Sequence, residues 1–467
     1  MKQYFAQLYY RLARIVTSKA MTTVILVVFA LQALLLAVLM QPGVPPDENN
    51  HVEFINFYAE HSVSPFFSEQ EPTWSLGDKT REVDYLYHYG MSLVARAVPG
   101  ESLDLYVIRL LSIVGALASF VALIRVFQRL GITRGAINTA LAILTNLPMV
   151  LMLSAAVNND VMVWLLTTVA TLLFLRIWRQ PILLDVVLLA NVFAFGGLVK
   201  RTLLPLGVFF ALATIVVVIR KWKIFKASFT FGPQFVAAAV LLLLGIGLMT
   251  ERIGGNLYQY GAISPSCNQV QGEEACAGFW LNARTRWIEK GSPAAENIWL
   301  PAGTSVDAEP RILPVFMAEW TAASIDNIVN IQTQGWRHEV RPWGILTPLA
   351  IAFLSVAFVV AAMYDVRNRE KSFRVRARLL IGLIGLFIVL TYMAVNYMNY
   401  RSLHIFGLAL NGRYILSGIM LLTGLACFYW TLLLGKRLAP AVAIVTVGLF
   451  VIGSGLLMMV RNPQLFG

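Results

Sequence analysis

The sequence predicts an all-α integral membrane protein, a polytopic bundle of about eleven transmembrane helices with two sizeable extracytoplasmic loops. Three observations predict it. The first is composition: 58% of the 467 residues are hydrophobic, 13% are charged and the mean hydropathy is +0.69. Soluble domains sit near about 45–50% apolar and about 25% charged. The second is patterning, because long apolar runs separated by short polar loops recur nearly to the C-terminus, whereas a membrane β-barrel would alternate apolar and polar residues. The third is charge: Lys and Arg gather on every second loop, as orientation in a membrane demands. The net charge of +12 is explained by those loops and gives no sign of a nucleic-acid partner.

In chain order, residues 1–20 carry Phe5, Leu8, Tyr9, Leu12 and Val16 at helical spacing, with Lys2, Arg11, Arg14 and Lys19 elsewhere. This pattern predicts an amphipathic helix on the cytoplasmic surface. No small-residue cleavage site follows a short apolar core, so no removable signal peptide is expected. Met21–Met40 is the first span, free of charge. Further spans are expected at Leu103–Ile124, Ala136–Val157, Val161–Leu175, Ile182–Val199, Leu203–Ile219, Phe229–Met249, Gly344–Met363, Leu379–Tyr397, Tyr414–Leu434 and Ala439–Val460. With the N-terminus inside, the inner loops become Arg125–Arg134, Arg176–Gln180, Arg220–Lys226, Tyr364–Arg378 and Gly435–Arg437. Each is rich in Lys or Arg, so the topology is self-consistent.

The chain thus divides into four parts. They are the interfacial helix (1–20), an N-terminal membrane module (21–250) with a long first outer loop (41–102), a second outer loop (251–343) and a C-terminal membrane module (344–467). The second outer loop holds Cys267 and Cys276, which outside the cytosol are expected to form a disulfide. Cys427 lies in a span and reads as a small apolar residue. Trp280, Trp287, Trp299, Trp320, Trp336 and Trp343 suit a folded loop and an interfacial aromatic belt. Neither a phosphate loop nor a dinucleotide glycine fingerprint occurs in a strand-to-helix setting. Chemistry on soluble nucleotides is therefore unsupported, and a donor would arrive through the lipid.

The informative polar residues lie on the outer face. Directly behind the first span comes PPDENNH, with Asp47, Glu48 and His51 within about two helical turns. Asp160 closes the short turn Asn158-Asn159-Asp160, Lys200 and Arg201 follow the fifth span, and Arg413 lies in NGRY before a late span. Outer cations run against the positive-inside trend, and cations kept at the edge of a bundle suit an anion such as a phosphate. The carboxylates suit a base, or the binding of a metal or a hydroxyl. Each residue also has a plainer reading. Asp47, Glu48 and Asp160 can cap helices, Lys200 and Arg201 can reach lipid phosphates, and His51 and His404 can be surface hydrogen-bonding groups.

Taken together, PPDENNH after the first span, the outer turn NND, a Lys after the fifth span and a late NGRY resemble the GT-C superfamily of membrane glycosyltransferases. Within it they are most similar to a bacterial multi-pass family with a Pro-Pro-Asp-Glu…His motif after the first span and a late Gly-Arg-Tyr motif. The NGRY motif departs from the pattern in having Asn411 where Gln is expected. The Trp-Gly segment around Gly335-Trp336 matches only loosely.

The resemblance implies an inner-membrane enzyme that moves a sugar, with inversion, from a polyprenyl-phosphate carrier to an extracytoplasmic acceptor. The acceptor would be a glycan, lipid or protein of the cell envelope. It implies Asp47 as general base with Glu48 as helper, and Lys200, Arg413 and secondarily Arg201 as the donor-phosphate cradle. His51, Asp160 and His404 would form the acceptor or metal neighbourhood. A divalent metal is left open, with Asp47, Glu48, His51 and Asp160 as its candidate ligands. Two alternatives are weighed beside it. A flippase or transporter would keep its charges near the midplane. A lipid-linked polysaccharide polymerase or ligase would rely on an outer loop rich in Arg and His.

Overall fold

A computed structural model describes residues 2–45, 47–60, 84–98, 100, 103–265, 269–270, 272, 311–329, 346–366, 372–403 and 412–460. Cys267, Cys276 and His404 lie outside the described residues, so their expected roles have no structural counterpart here. No strand occurs among the described residues. The helices are α1 (Lys2–Val16), α2 (Lys19–Leu39), α3 (Glu48–Glu60), α4 (Leu86–Ala97), α5 (Leu103–Arg129), α6 (Arg134–Thr145), α7 (Pro148–Ser154), α8 (Asp160–Arg179) and α9 (Leu183–Val199). They continue with α10 (Leu203–Arg220), α11 (Trp222–Ala227), α12 (Pro233–Met249), α13 (Gly255–Tyr260), α14 (Leu313–Val329), α15 (Leu346–Ala361), α16 (Phe373–Leu403) and α17 (Leu416–Val460).

Among the described residues, seven helices are long and apolar enough to cross a membrane. They are Lys19–Leu39, Asp104–Arg129, Asp160–Arg179, Leu203–Arg220, Pro233–Tyr260, Phe373–Arg401 and Gly412–Gly435. The chain is therefore a helical, multi-pass membrane protein. The other predicted spans also fall on helices, but among the described residues none of them is a single helix that is long and apolar enough to cross. The run expected at Ala136–Val157 is split into α6 and α7, bent by 71°. The cause is local. Pro148 has no N–H to continue the ladder and forces Leu147 out of the helical region (φ −64°, ψ 124°). Leu183–Val199, Leu349–Asp365 and Leu438–Gly448 are shorter apolar helices.

The expected long outer loops are partly helical. The first contains α3 and α4, packed on each other and, through α4, on α5 and α9. The second begins as a continuation of α12 through a π-helical turn, Thr250–Gly254, into α13. Its later part is α14, whose Phe316 and Trp320 are fully buried. Phe316 stacks on Tyr400 with ring centroids 5.3 Å apart. Trp320 is thus a core residue and not part of an aromatic belt.

The core lies where α5 packs on α8, α6 on α17 and α9 on α12. Phe120, Leu123, Phe127, Ala140, Leu141, Leu151, Trp164, Phe174 and Met420 fill it with little or no exposure. Gly424 of α17 has no side chain where the ring of Phe127 passes, which lets α5 and α17 approach closely. By contrast α2, α10 and α12 keep rows of exposed Leu, Val and Ile. For a helix in lipid that is an ordinary exterior.

Candidate functional site

The polar residues at one end of the bundle are positioned by a buried ion pair. Asp47 stands just before α3 with φ of 60°, a left-handed conformation that Asp tolerates better than most residues. Its carbonyl accepts the first α3 hydrogen bond, from His51 N at 3.0 Å. The chain then turns Glu48 inward, where it is 1% exposed. Arg109 of α5, with no exposure, grips it as a fork, Nε to Oε1 at 2.9 Å and Nη2 to Oε2 at 2.7 Å. The same guanidinium donates from Nη1 to the carbonyls of Ala37 (2.7 Å) and Met40 (2.9 Å), at the C-terminus of α2. Glu48 also accepts from the backbone of Val157 at 2.9 Å and of Gly43 at 3.0 Å. One pair thus ties α2, the turn after it, α3, α5 and the segment leading into α8. The turn after α2, the start of α3 and the segment leading into α8 adjoin Asp47 and Asp160.

Asp160 opens α8, where Asn158 Oδ1 accepts from its backbone N–H at 2.7 Å. The carboxylate of Asp160 is 2% exposed. Its Oδ1 accepts from Lys200 Nζ at 2.5 Å, and Lys200 donates also to Asn159 Oδ1 at 3.0 Å. Lys200 sits in the tight turn between α9 and α10, 4.8 Å above the ring of Tyr414. Arg413, 4% exposed, pairs through Nη2 with Asp47 Oδ2, and its Nε lies 3.6 Å from Asp160 Oδ2. That second oxygen of Asp160 accepts no hydrogen bond among the described residues. Tyr414 and Tyr392 stack beside the cluster, ring centroids 5.3 Å apart. Gly412 precedes Arg413 because a Cβ there would run into the backbone oxygen of Ser324 in α14. The glycine lets the short 3₁₀ turn Gly412–Ile415 press Arg413 against both acids.

Four of the sequence-derived candidates, Asp47, Asp160, Lys200 and Arg413, therefore meet in one network of two carboxylates and two cations. Glu48 does not open onto it, because both its oxygens are taken by Arg109 and by two backbone N–H groups. Arg201 is exposed and its guanidinium reaches Ser264 Oγ, while its backbone N–H donates to Asp84 Oδ1 at 2.8 Å. His51 is close to the network, one helical turn from Asp47. Its Nδ1 lies 2.8 Å from Nε2 of His88, and His88 Nδ1 lies 2.9 Å from the Asp84 carbonyl.

Burial, then the charges of His88, Lys200 and Arg413, push His51 well below the usual imidazole range. Burial chiefly brings His88 down to about 4. Desolvation raises the carboxyl of Asp84, and Arg201 opposes the rise.

His88 and Asp84 are the residues beside the network that sequence reading missed. Their signal was the run Asp84-Tyr85-Leu86-Tyr87-His88-Tyr89, rich in hydrogen-bonding aromatic side chains for an exposed loop. Arg109 had a signal too, a charge inside the predicted second span.

The candidate metal ligands do not form a set. Glu48 is committed to Arg109 and Asp160 Oδ1 to Lys200. Among the described residues no three His, Cys, Asp or Glu side chains are arranged to hold a metal ion.

Compared with protein-family models the chain matches none, and compared with curated proteins it also matches none.

Proposed function

We propose that the chain is a membrane glycosyltransferase of GT-C type. It moves a sugar from a polyprenyl-phosphate donor to an acceptor on the extracytoplasmic face, with inversion, for cell-envelope glycan or glycoconjugate synthesis. The observation that carries this reading is the convergence of Asp47, Asp160, Lys200 and Arg413 at one bundle end. Residues far apart in sequence, and individually explicable as caps or lipid contacts, meet there as two acids and two cations.

The two acids and two cations neutralise each other. An incoming lipid phosphate competes with Asp47 for Arg413, since a phosphate offers a guanidinium two oxygens at once. Binding of the donor thereby releases Asp47 as it fills the cradle. The freed carboxylate takes the proton of an acceptor hydroxyl. The hydroxyl oxygen bonds to the anomeric carbon from the face opposite the phosphate, and the bond from that carbon to the phosphate oxygen breaks. Its electron pair leaves with the polyprenyl phosphate, whose charge Lys200 and Arg413 stabilise. Glu48 and Arg109 act as positioning residues, because their pair orients the turn carrying Asp47.

The test uses purified protein in nanodiscs with synthetic undecaprenyl-phosphate hexoses and a cell-envelope acceptor extract. Release of undecaprenyl phosphate that depends on the extract is expected, with Lys200→Ala raising the KM for donor more than that for acceptor. No release from any hexose, or a Lys200→Ala effect confined to the acceptor, contradicts the reading.

A further inference from the structure

We propose that hydrogen bonds running from the Asp84 carbonyl through His88 hold His51 as its Nδ1–H tautomer, presenting Nε2 as a fixed acceptor for a sugar hydroxyl beside Asp47. The identity of the ligand rests on the transferase reading; the tautomer rests on the hydrogen-bond geometry and on the nearby cations Lys200 and Arg413, which disfavour an imidazolium.

The tautomer follows from what each atom can do. A carbonyl oxygen only accepts, so the 2.9 Å contact between Asp84 O and His88 Nδ1 puts a proton on that nitrogen. A neutral imidazole carries one N–H, so His88 Nε2 holds a lone pair. The 2.8 Å contact to His51 Nδ1 then requires His51 to donate. The two rings lie 17° from coplanar with centroids 5.1 Å apart, as an in-plane N–H···N bond needs. His51 is left with a lone pair at Nε2, on the side of the ring away from His88. Nε2 has no hydrogen-bond partner among the described residues, and the residue is half-buried.

The surroundings keep this arrangement in place. Phe54 lies against His88 with centroids 4.9 Å apart, and Tyr87 meets both imidazoles edge-on. Asp84 is anchored in turn by the backbone of Arg201, next to Lys200. The relay therefore links the turn that carries a cradle cation to the helix turn that carries Asp47.

The charged and titratable groups acting on His51 are His88, Lys200 and Arg413, with Tyr87 against its ring. Two cations nearby disfavour an imidazolium, so His51 accepts a hydrogen bond without taking up a net proton. A lipid phosphate with its oxygens ionised has no proton to offer such an acceptor. A hydroxyl does, and the reaction brings hydroxyls from two sources, the donor sugar and the acceptor glycan. His51 is thus a positioning and specificity residue, distinct from the base.

The chain has five histidines, which makes histidine-selective ¹⁵N labelling practical in nanodiscs. At pH 7 the wild-type spectrum is expected to show His51 neutral with its proton on Nδ1. His88→Phe, which removes the acceptor, is expected to move that proton to Nε2, and His88→Gln, whose amide oxygen can accept, to restore Nδ1–H. A wild-type His51 found as imidazolium or as the Nε2–H tautomer overturns the proposal, whatever the turnover. Three probes then test the ligand: undecaprenyl phosphate, the panel of undecaprenyl-phosphate hexoses, and octyl β-glucoside as a minimal glycan.

The Nε2 resonance is expected to shift with a sugar-bearing probe and not with undecaprenyl phosphate. A shift with a hexose donor assigns the hydroxyl to the donor, and one with the glucoside assigns it to the acceptor. No shift with either, or an equal shift with undecaprenyl phosphate, overturns the hydroxyl assignment. Where a hexose is turned over, His51→Phe and His88→Phe are each expected to raise the KM of the hydroxyl-bearing substrate about tenfold, the weight of one hydrogen bond, with kcat changed less. His88→Gln should recover most of that loss. Absent turnover beside an intact Nδ1–H tautomer would count against the transferase reading and leave the relay standing.

Discussion

Asp47 carries a left-handed backbone conformation, a partner in Arg413 and a place at the foot of α3. Asn tolerates the same backbone and is nearly isosteric, so Asp47→Asn removes basicity with little cost to the fold. Transfer is expected to fall by about 10²–10⁴, the usual worth of a positioned base, while thermal unfolding in detergent stays close to wild type. Full turnover would remove Asp47 from the chemistry. Arg413→Lys tests the cradle differently. A point charge cannot span Asp47 and Asp160 as a guanidinium does, so the KM for donor should rise despite the conserved charge.

At this scale much of the site was legible. Lys200 and Arg413 stood out in the sequence as cations against the expected positive-inside pattern, and Asp47 and Asp160 as acids in turns expected to be outside. Glu48 could not be told apart from Asp47, because neighbouring acids look alike in a sequence. Only the fold shows that one faces Arg109 and the other Arg413. His88 was missed because nothing in its spacing says that α4 docks on α3.

Among the elements, the Glu48–Arg109 pair is the joint on which the bundle end depends. Removing one partner leaves a buried charge uncompensated, which typically costs about 3–5 kcal/mol, whereas removing both is often far milder. Glu48→Gln and Arg109→Met should each lower stability by about that amount. The double variant should lose less than the sum of the two. Equilibrium unfolding in mixed micelles measures this, and strict additivity would mean that the pair is not a joint.

The α3–α4 pair should also respond to pH. His51 and His88 have lower pKa values folded than unfolded, so the unfolded segment binds more protons as pH falls. The stability they confer is complete above the unfolded value near 6.5 and is lost progressively as pH drops toward about 4. Hydrogen exchange over α3 and α4 should therefore rise below pH 6.5 more steeply than over α5 and α8. Equal slopes would contradict the buried, neutral pair. The break between α6 and α7 was written in the sequence at Leu147-Pro148, but the length of the apolar run hid it. Hydropathy sums over a window, whereas a proline acts at a single bond.

For the molecule as a whole, the meeting of Asp47, Asp160, Lys200 and Arg413 in one network within an apolar bundle is the fact that function must answer to. Apolar periodicity made the helical, multi-pass architecture readable, because lipid demands long hydrogen-bonded helices whatever the enzyme does. It did not show that Leu147-Pro148 breaks one apolar run into two helices bent by 71°. If the basic loops are cytoplasmic, single cysteines placed at Arg201 and Glu53 should react with an impermeant thiol reagent in intact cells. One placed at Arg129 should react only after lysis. The reverse pattern would put the site on the wrong face for a lipid-linked donor handed across the membrane.

The most direct measurement compares wild-type and Asp47→Asn protein, side by side in nanodiscs, over a panel of undecaprenyl-phosphate hexoses with cell-envelope acceptor, following product and its anomeric configuration. The expected result is a product of inverted configuration from wild type with one or more donors, and at least a hundredfold less from Asp47→Asn. Equal rates from the two proteins, or a product that retains the donor's configuration, would contradict Asp47 as the base of an inverting transferase.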